Sequence, residues 1–261
     1  MDAWVRVFLC ALLLPGGAAA FDHDHKAWDA LLKKHVVLLD GGKASRVAYA
    51  GMAQDRAALK GYLGALSGVD ASEFARWSKP EQMAFLLNAY NAFTVEKILA
   101  RYPDIRSIWD FGKFFGNPFK DQFFRLLGAR TSLDGIEHGM LRKKYPDARI
   151  HYALNCASVG CPMLREEAYV AARLERQLDE QARRFLSDRS RNRVRDGKLE
   201  VSRIFDWYRE DFEPRLRYFA RHAAWLSEDR MAQQRVSDGA AALTFLDYDW
   251  SLNDSRSSSR R

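Results

Sequence analysis

Apolar residues recur along this chain at helical spacing in several stretches. Leu31, Leu32, His35, Val36 and Leu39 fall at intervals of three and four, which predicts a half-buried helix closed by Gly41-Gly42. Leu59, Tyr62, Leu63 and Leu66 predict a second over 55–66, and Leu174, Leu178, Ala182 and Phe185 another amphipathic helix. Ser78-Lys79-Pro80-Glu81 reads as a capping box with proline in the first turn. The helix it opens runs through Met83, Phe85, Leu87, Tyr90, Phe93 and Ile98 to about Ala100, with Pro103 marking the stop. Because it is apolar almost all round, it is expected at the centre of the fold. Asn88 and Asn91 are three apart and so share one face. Buried amides need partners, so the pair either hydrogen-bonds a segment crossing the helix or orients a catalytic group or substrate.

Beyond that helix the pattern shortens. Residues 108–127 are rich in aromatics broken by Gly112, Gly116 and Asn117-Pro118, which predicts packed loop and short strands. Ser132 is expected to cap a short helix carrying Ile136, Glu137, His138, Met140 and Leu141. Ile150 to Cys156 predicts a buried strand leading into the small-residue turn Ala157 to Pro162. Asp196-Gly197 marks a turn, Leu199 to Ser202 a short strand, and the alternation of Phe245 to Trp250 an outer strand. With no internal repeat and no linker, the expectation is one α+β domain: a central buried helix, a small sheet and several surrounding helices.

The 261 residues are 48% hydrophobic and 29% charged, which excludes a disordered or fibrous chain. The net charge of +7 favours acidic partners. Arg256, Arg260 and Arg261, however, lie in a Ser/Arg-rich tail at 254–261 expected to be disordered, so the body is only mildly basic and nucleic acid is not an expected partner. Arg6, the apolar run Val7 to Leu14, Pro15-Gly16-Gly17 and Ala18-Ala19-Ala20 read as a signal peptide over 1–20. The run is too short to span a bilayer and no later segment is apolar enough. The expectation is an exported, soluble protein, periplasmic or secreted, without stable membrane insertion after cleavage. Residues 21–76 would be the N-terminal helical part of the domain and 77–253 its core.

Export changes what Cys156 and Cys161 can mean, because an oxidising compartment draws such a pair toward a disulfide. Four intervening residues permit a bridge if the turn brings the Cα atoms within about 7 Å. Structural zinc would need ligands that neither a second cysteine pair nor a His-x-x-x-His supplies, so neither a metal nor another cofactor is expected. A residue ending a strand projects into a cleft, which makes Cys156 the candidate nucleophile. His151, five positions earlier, faces the opposite side of a regular strand, so His138 is the alternative base; Glu137 beside it could serve as acid or base. Asn88, Asn91, Asn155 and Ser158 are the candidates for orienting a substrate.

Phe85 to Ala92, Ile136-Glu137-His138 with Leu141-Arg142, Arg149 to Ser158 with Cys161-Pro162, Ser202 to Tyr208 with Asp211-Phe212, and Tyr248 to Asn253 together resemble the domain-of-unknown-function family 547. The resemblance covers roughly Trp77 to Asn253. That family's domain occurs beside glutaredoxin-like modules, which implies thiol chemistry, and the likeness implies a fold boundary and a site more than a reaction. Three functions follow. The first is a thiol-dependent acyl hydrolase or transferase using Cys156 on a small-molecule or peptide substrate. The second is a thiol–disulfide protein cycling Cys156 and Cys161. The third is a non-catalytic module binding a peptide or glycan, with a permanent bridge.

Overall fold

A computed structural model describes residues 20–112 and 116–256. The signal-peptide expectation for 1–20 therefore lies, but for Ala20, outside the described residues, as does the tail from 257 onward. The first helix, α1 (Lys26–His35), ends four residues earlier than its periodicity predicts. Val36–Leu39 instead forms β1, which pairs antiparallel with β2 (Ala44–Val47) in the register Val36↔Val47. The β-branched Val36-Val37 pair favours the pleat, and His35 closes α1 with Nε2 2.6 Å from the Asp55 carboxylate. The helices α2 (Tyr49–Gln54), α3 (Arg56–Gly68) and α4 (Ala71–Arg76) then pack around α5 (Lys79–Leu99).

The capping box predicted for α5 is present: Ser78 accepts from the Glu81 amide, and Glu81 accepts from the Ser78 amide at 2.8 Å. Nearly every residue from Met83 to Leu99 is buried, so the helix is central as its composition requires. The aromatic stretch folds as short helical turns followed by a hairpin of β3 (Phe124–Leu126) and β4 (Ala129–Thr131). Ser132 accepts from the Gly135 amide at 3.0 Å and starts a π-helix over Gly135–Leu141, continued by α6 (Arg142–Lys144).

The strand predicted over 150–156 is not one. Ile150–Ala153 is a turn of helix, α7, and only from Leu154 is the backbone extended. Asp147 starts the turn by accepting from the Arg149 amide at 2.9 Å, and a short apolar run bears either structure. Two apolar clusters meet here: Ile150 packs into the one around α5, Tyr152 into a second one. The second is built on α8 (Leu174–Leu186), β5 (Arg193–Arg195), β6 (Lys198–Val201), α9 (Ile204–Trp207), α10 (Arg215–Arg221), α11 (Ala223–Leu226), α12 (Arg230–Ser237) and β7 (Ala242–Phe245). In its sheet β5 and β6 are antiparallel and β6 and β7 parallel.

The outer strand predicted over 245–250 is displaced: the ladder ends at Phe245, and residues 246–250 run across the molecule to meet the cysteine turn. Asp254, assigned by sequence to a disordered tail, is buried, bridges to Val47 and accepts from the Tyr102 hydroxyl at 3.0 Å. Among the described residues no helix is long and apolar enough to cross a membrane.

Candidate functional site

A cleft of about 490 Å³ opens along the seam between the two apolar clusters. Cys156, Cys161, Glu137, His138 and His151 all line it. The two cysteines are joined by a disulfide, with Cα atoms 6.1 Å apart. Cys156 is half-buried at the cleft and Cys161 almost fully buried.

The turn between the cysteines is held by its neighbours rather than by the bridge alone. The Val159 amide donates to the Ser251 carbonyl and the Gly160 amide to the Asp249 carbonyl, each at 2.8 Å, while the Asn253 amide donates to the Ala157 carbonyl at 3.1 Å. Asn155 ties both ends, donating to the Pro162 carbonyl at 2.8 Å and accepting from the Ala157 amide at 3.0 Å. Ala157 holds a left-handed φ of 62°, which a small side chain tolerates better than a branched one. Arg191, partly buried, donates to the Val159 carbonyl and pairs with Asp188. A Cβ on Gly160 would sit 3.0 Å from the Tyr248 ring and the Asp249 amide, so glycine is what lets segment 246–250 close over the turn.

That segment brings Tyr248, which sequence reasoning missed as a site residue. Its hydroxyl lies 3.2 Å from each sulfur, and the Ser158 hydroxyl lies 3.3 Å from it and 3.2 Å from Cys156 Sγ. Burial pushes the Tyr248 phenol above its usual range, so it stays protonated and donates. The Cys156 amide also donates to Cys161 Sγ, at 2.9 Å. The buried sulfur thus already receives two donors, a backbone N–H and a phenol.

The acid–base groups form a second cluster, of which Glu137, His138 and His151 line the cleft. Because α7 is helical, the strand-alternation argument that turned His151 away from Cys156 does not apply, and both reach the same opening. His151 Nε2 is 2.6 Å from Asp211, which also takes a two-pronged contact from Arg142 at 2.6 and 3.0 Å. His151, and next Arg142, hold the Asp211 carboxyl far below its ordinary range, so it remains ionised and fixes the imidazole's orientation. The other ring nitrogen, Nδ1, is buried without a hydrogen bond, 3.7 Å from Glu137. Burial first, and the Glu137 carboxylate next, raise the Tyr208 and Tyr90 phenols, and both hydrogen-bond Glu137. The Tyr208 ring stacks on His151 at 4.0 Å. His138 instead contacts Arg142 at 2.8 Å and Asp134 at 3.9 Å. Cys156 Sγ instead lies 3.2 Å from the Ser158 and Tyr248 hydroxyls, while the two histidines contact Arg142, Asp134, Asp211 and Glu137.

Asn88 and Asn91 stand behind the cleft wall. Asn88 exchanges hydrogen bonds with the Tyr169 backbone at 2.7 and 3.0 Å. Asn91 donates to the Ala153 carbonyl and accepts from the Asn155 amide, both at 2.9 Å. Their amides position backbone, and Asn91 fixes the segment that delivers Cys156. Asp211, Tyr208 and Tyr248 stand in the motifs that carry the family resemblance, but nothing in local spacing brings Tyr208 and Tyr248 to one opening or Asp211 to His151. Among the described residues no group of three or more His, Cys, Asp or Glu is disposed to hold a metal ion.

Residues 74–186 match a family described as "Protein of unknown function, DUF547". No curated protein and no solved structure matches the chain.

Proposed function

With residues 74–186 forming a DUF547 domain, we propose that the cleft is a thiol–disulfide exchange site in which Cys156 is the sulfur attacked and Cys161 the sulfur that leaves. One observation carries this reading: the bridge lines an open cleft, and its buried sulfur already accepts from the Cys156 amide and the Tyr248 hydroxyl. Attack by an external thiolate on Cys156 Sγ breaks the Cys156–Cys161 bond and forms a mixed disulfide at Cys156. The electron pair goes to Cys161, where the amide and the phenol stabilise the thiolate. A second external thiol resolves the mixed disulfide, so two thiols leave as one disulfide and both cysteines end reduced. The reverse sequence oxidises a dithiol. An exported location, as the leader-like N terminus suggests, suits such a bridge.

The test is equilibration in glutathione buffers followed by alkylation and intact mass. A midpoint well above about −300 mV supports exchange, whereas a bridge still closed below that potential is structural and overturns the reading. Cys161→Ser should trap a glutathione adduct on Cys156, and Cys156→Ser should trap none.

A second reading, acyl transfer by Cys156 after reduction, is favoured by His151 and Glu137 in the same opening, with Asp211 hydrogen-bonded to His151, since disulfide exchange alone does not need them. Acylation of the reduced protein by an activated thioester, lost in His151→Gln, would support it.

A further inference from the structure

The sulfur chemistry leaves most of the cleft wall unexplained. Trp207 and Trp250 lie stacked, centroids 5.6 Å apart and planes 24° apart, with Tyr248 4.5 Å from Trp250 and Trp109 set edge-on to it at 5.3 Å. Large apolar faces are normally covered, yet Trp207 is 48% and Trp109 39% exposed. The same cleft also carries two acidic side chains. Asp134 and Glu137 line the cleft, and among its described lining residues there is no lysine or arginine, although the chain as a whole carries +7. His151 Nδ1, buried and without a hydrogen bond, lies 3.7 Å from the Glu137 carboxyl.

An apolar wall alone would accept many ligands, and carboxylates alone would be a solvated patch. Together in one opening they select a group that is positive and weakly hydrated. Indole faces attract such a cation through their negative π surface, and nearby carboxylates add Coulomb attraction. The chain shows the same preference at the rim, where the Arg142 guanidinium lies 5.4 Å from the Tyr208 ring. We propose that this cleft binds an organic ammonium group, alkylated or quaternary, seated against Trp207 and Trp250 with Asp134 and Glu137 as its counter-charge. The proposal goes beyond the thiol reading and does not require it.

The probe is choline, paired with its uncharged isostere 3,3-dimethyl-1-butanol. Both are titrated by tryptophan fluorescence and calorimetry into the oxidised protein and into the Cys156→Ser/Cys161→Ser double variant. Choline should saturate with a dissociation constant of about 1 mM or below, and the isostere should bind at least about tenfold more weakly, a difference of about 1.4 kcal/mol. Trp207→Ala should weaken choline about fivefold or more while Trp207→Phe retains most binding, because a smaller π face remains. Asp134→Asn should weaken it severalfold and flatten the salt dependence. Equal affinity for the isostere, no saturation by choline, or constants unmoved by Trp207→Ala and Asp134→Asn would each overturn the proposal. Binding by the double variant, which has no bridge, separates this outcome from the fate of the exchange reading.

Discussion

Opening the Cys156–Cys161 bridge should cost the fold little, and the structure sets the size of the loss. The cysteines are five positions apart, so the bridge closes a loop of only six residues. On the chain-entropy account, closing so short a loop in the unfolded state contributes about 2 kcal/mol at 25 °C. The native turn does not depend on the bridge for its shape, because Val159, Gly160 and Asn253 hold it through backbone hydrogen bonds and Asn155 ties both ends. Reduction should therefore leave the cysteines facing one another. The assay is urea unfolding of the protein oxidised and fully reduced, with the reduced form checked by alkylation. A loss of about 2 kcal/mol, or a fall in Tm of about 4–8 °C for a chain of this size, is expected at unchanged m. A loss above about 4 kcal/mol, or unfolding on reduction alone, would mean that the bridge is a staple, and the argument from the anchored turn would fail.

Gly160→Ala places a methyl against the Tyr248 ring and the Asp249 amide; exchange with glutathione should slow severalfold while Tm moves by a few degrees. Asn91→Ala leaves the Ala153 carbonyl and Asn155 amide buried and unpaired, and denaturant unfolding should register a loss of about 2–4 kcal/mol. His25 is buried against the Tyr62 hydroxyl, and burial lowers its pKa from 6.5 to about 4. The unfolded chain then binds more protons between these values, so stability is full above about pH 6.5 and falls by about 3 kcal/mol as pH drops to 4. His25→Asn should flatten that slope in pH-dependent unfolding. Asp211, held low by His151 and Arg142, contributes stability present above the ordinary carboxylate range and lost as pH falls through its depressed value. Asp211→Asn should remove that acid limb and cost about 1–3 kcal/mol, since the carboxylate is a quarter exposed.

The chemistry and the framework were legible in the sequence to different degrees. The capping box and near-continuous apolar run of α5 are local signals, and they place the central helix correctly. The periodicity of α8 is equally local. Two failures share a cause, namely apolar runs too short to choose a period by themselves. Val36 to Leu39 continued the helical spacing of α1 but pairs with β2, and Ile150 to Ala153 looked like a strand but coils under the influence of Asp147. The second mistake carried into the site, because strand alternation set His151 and Cys156 on opposite faces. The tyrosine at the bridge lay beyond local reading altogether. Tyr248 meets Cys156 across 92 positions, through a crossing made by backbone hydrogen bonds, which leave no side-chain pattern in the sequence.

That crossing also orders events during synthesis. Both cysteines emerge from the ribosome long before residues 248–253, so for much of the chain's early life the loop lacks its phenol, its three main-chain tethers and its roof. A polypeptide ending before Tyr248 would keep every thiol and acid–base group of the cleft yet leave the workshop unfinished, with the sulfurs open to any passing oxidant.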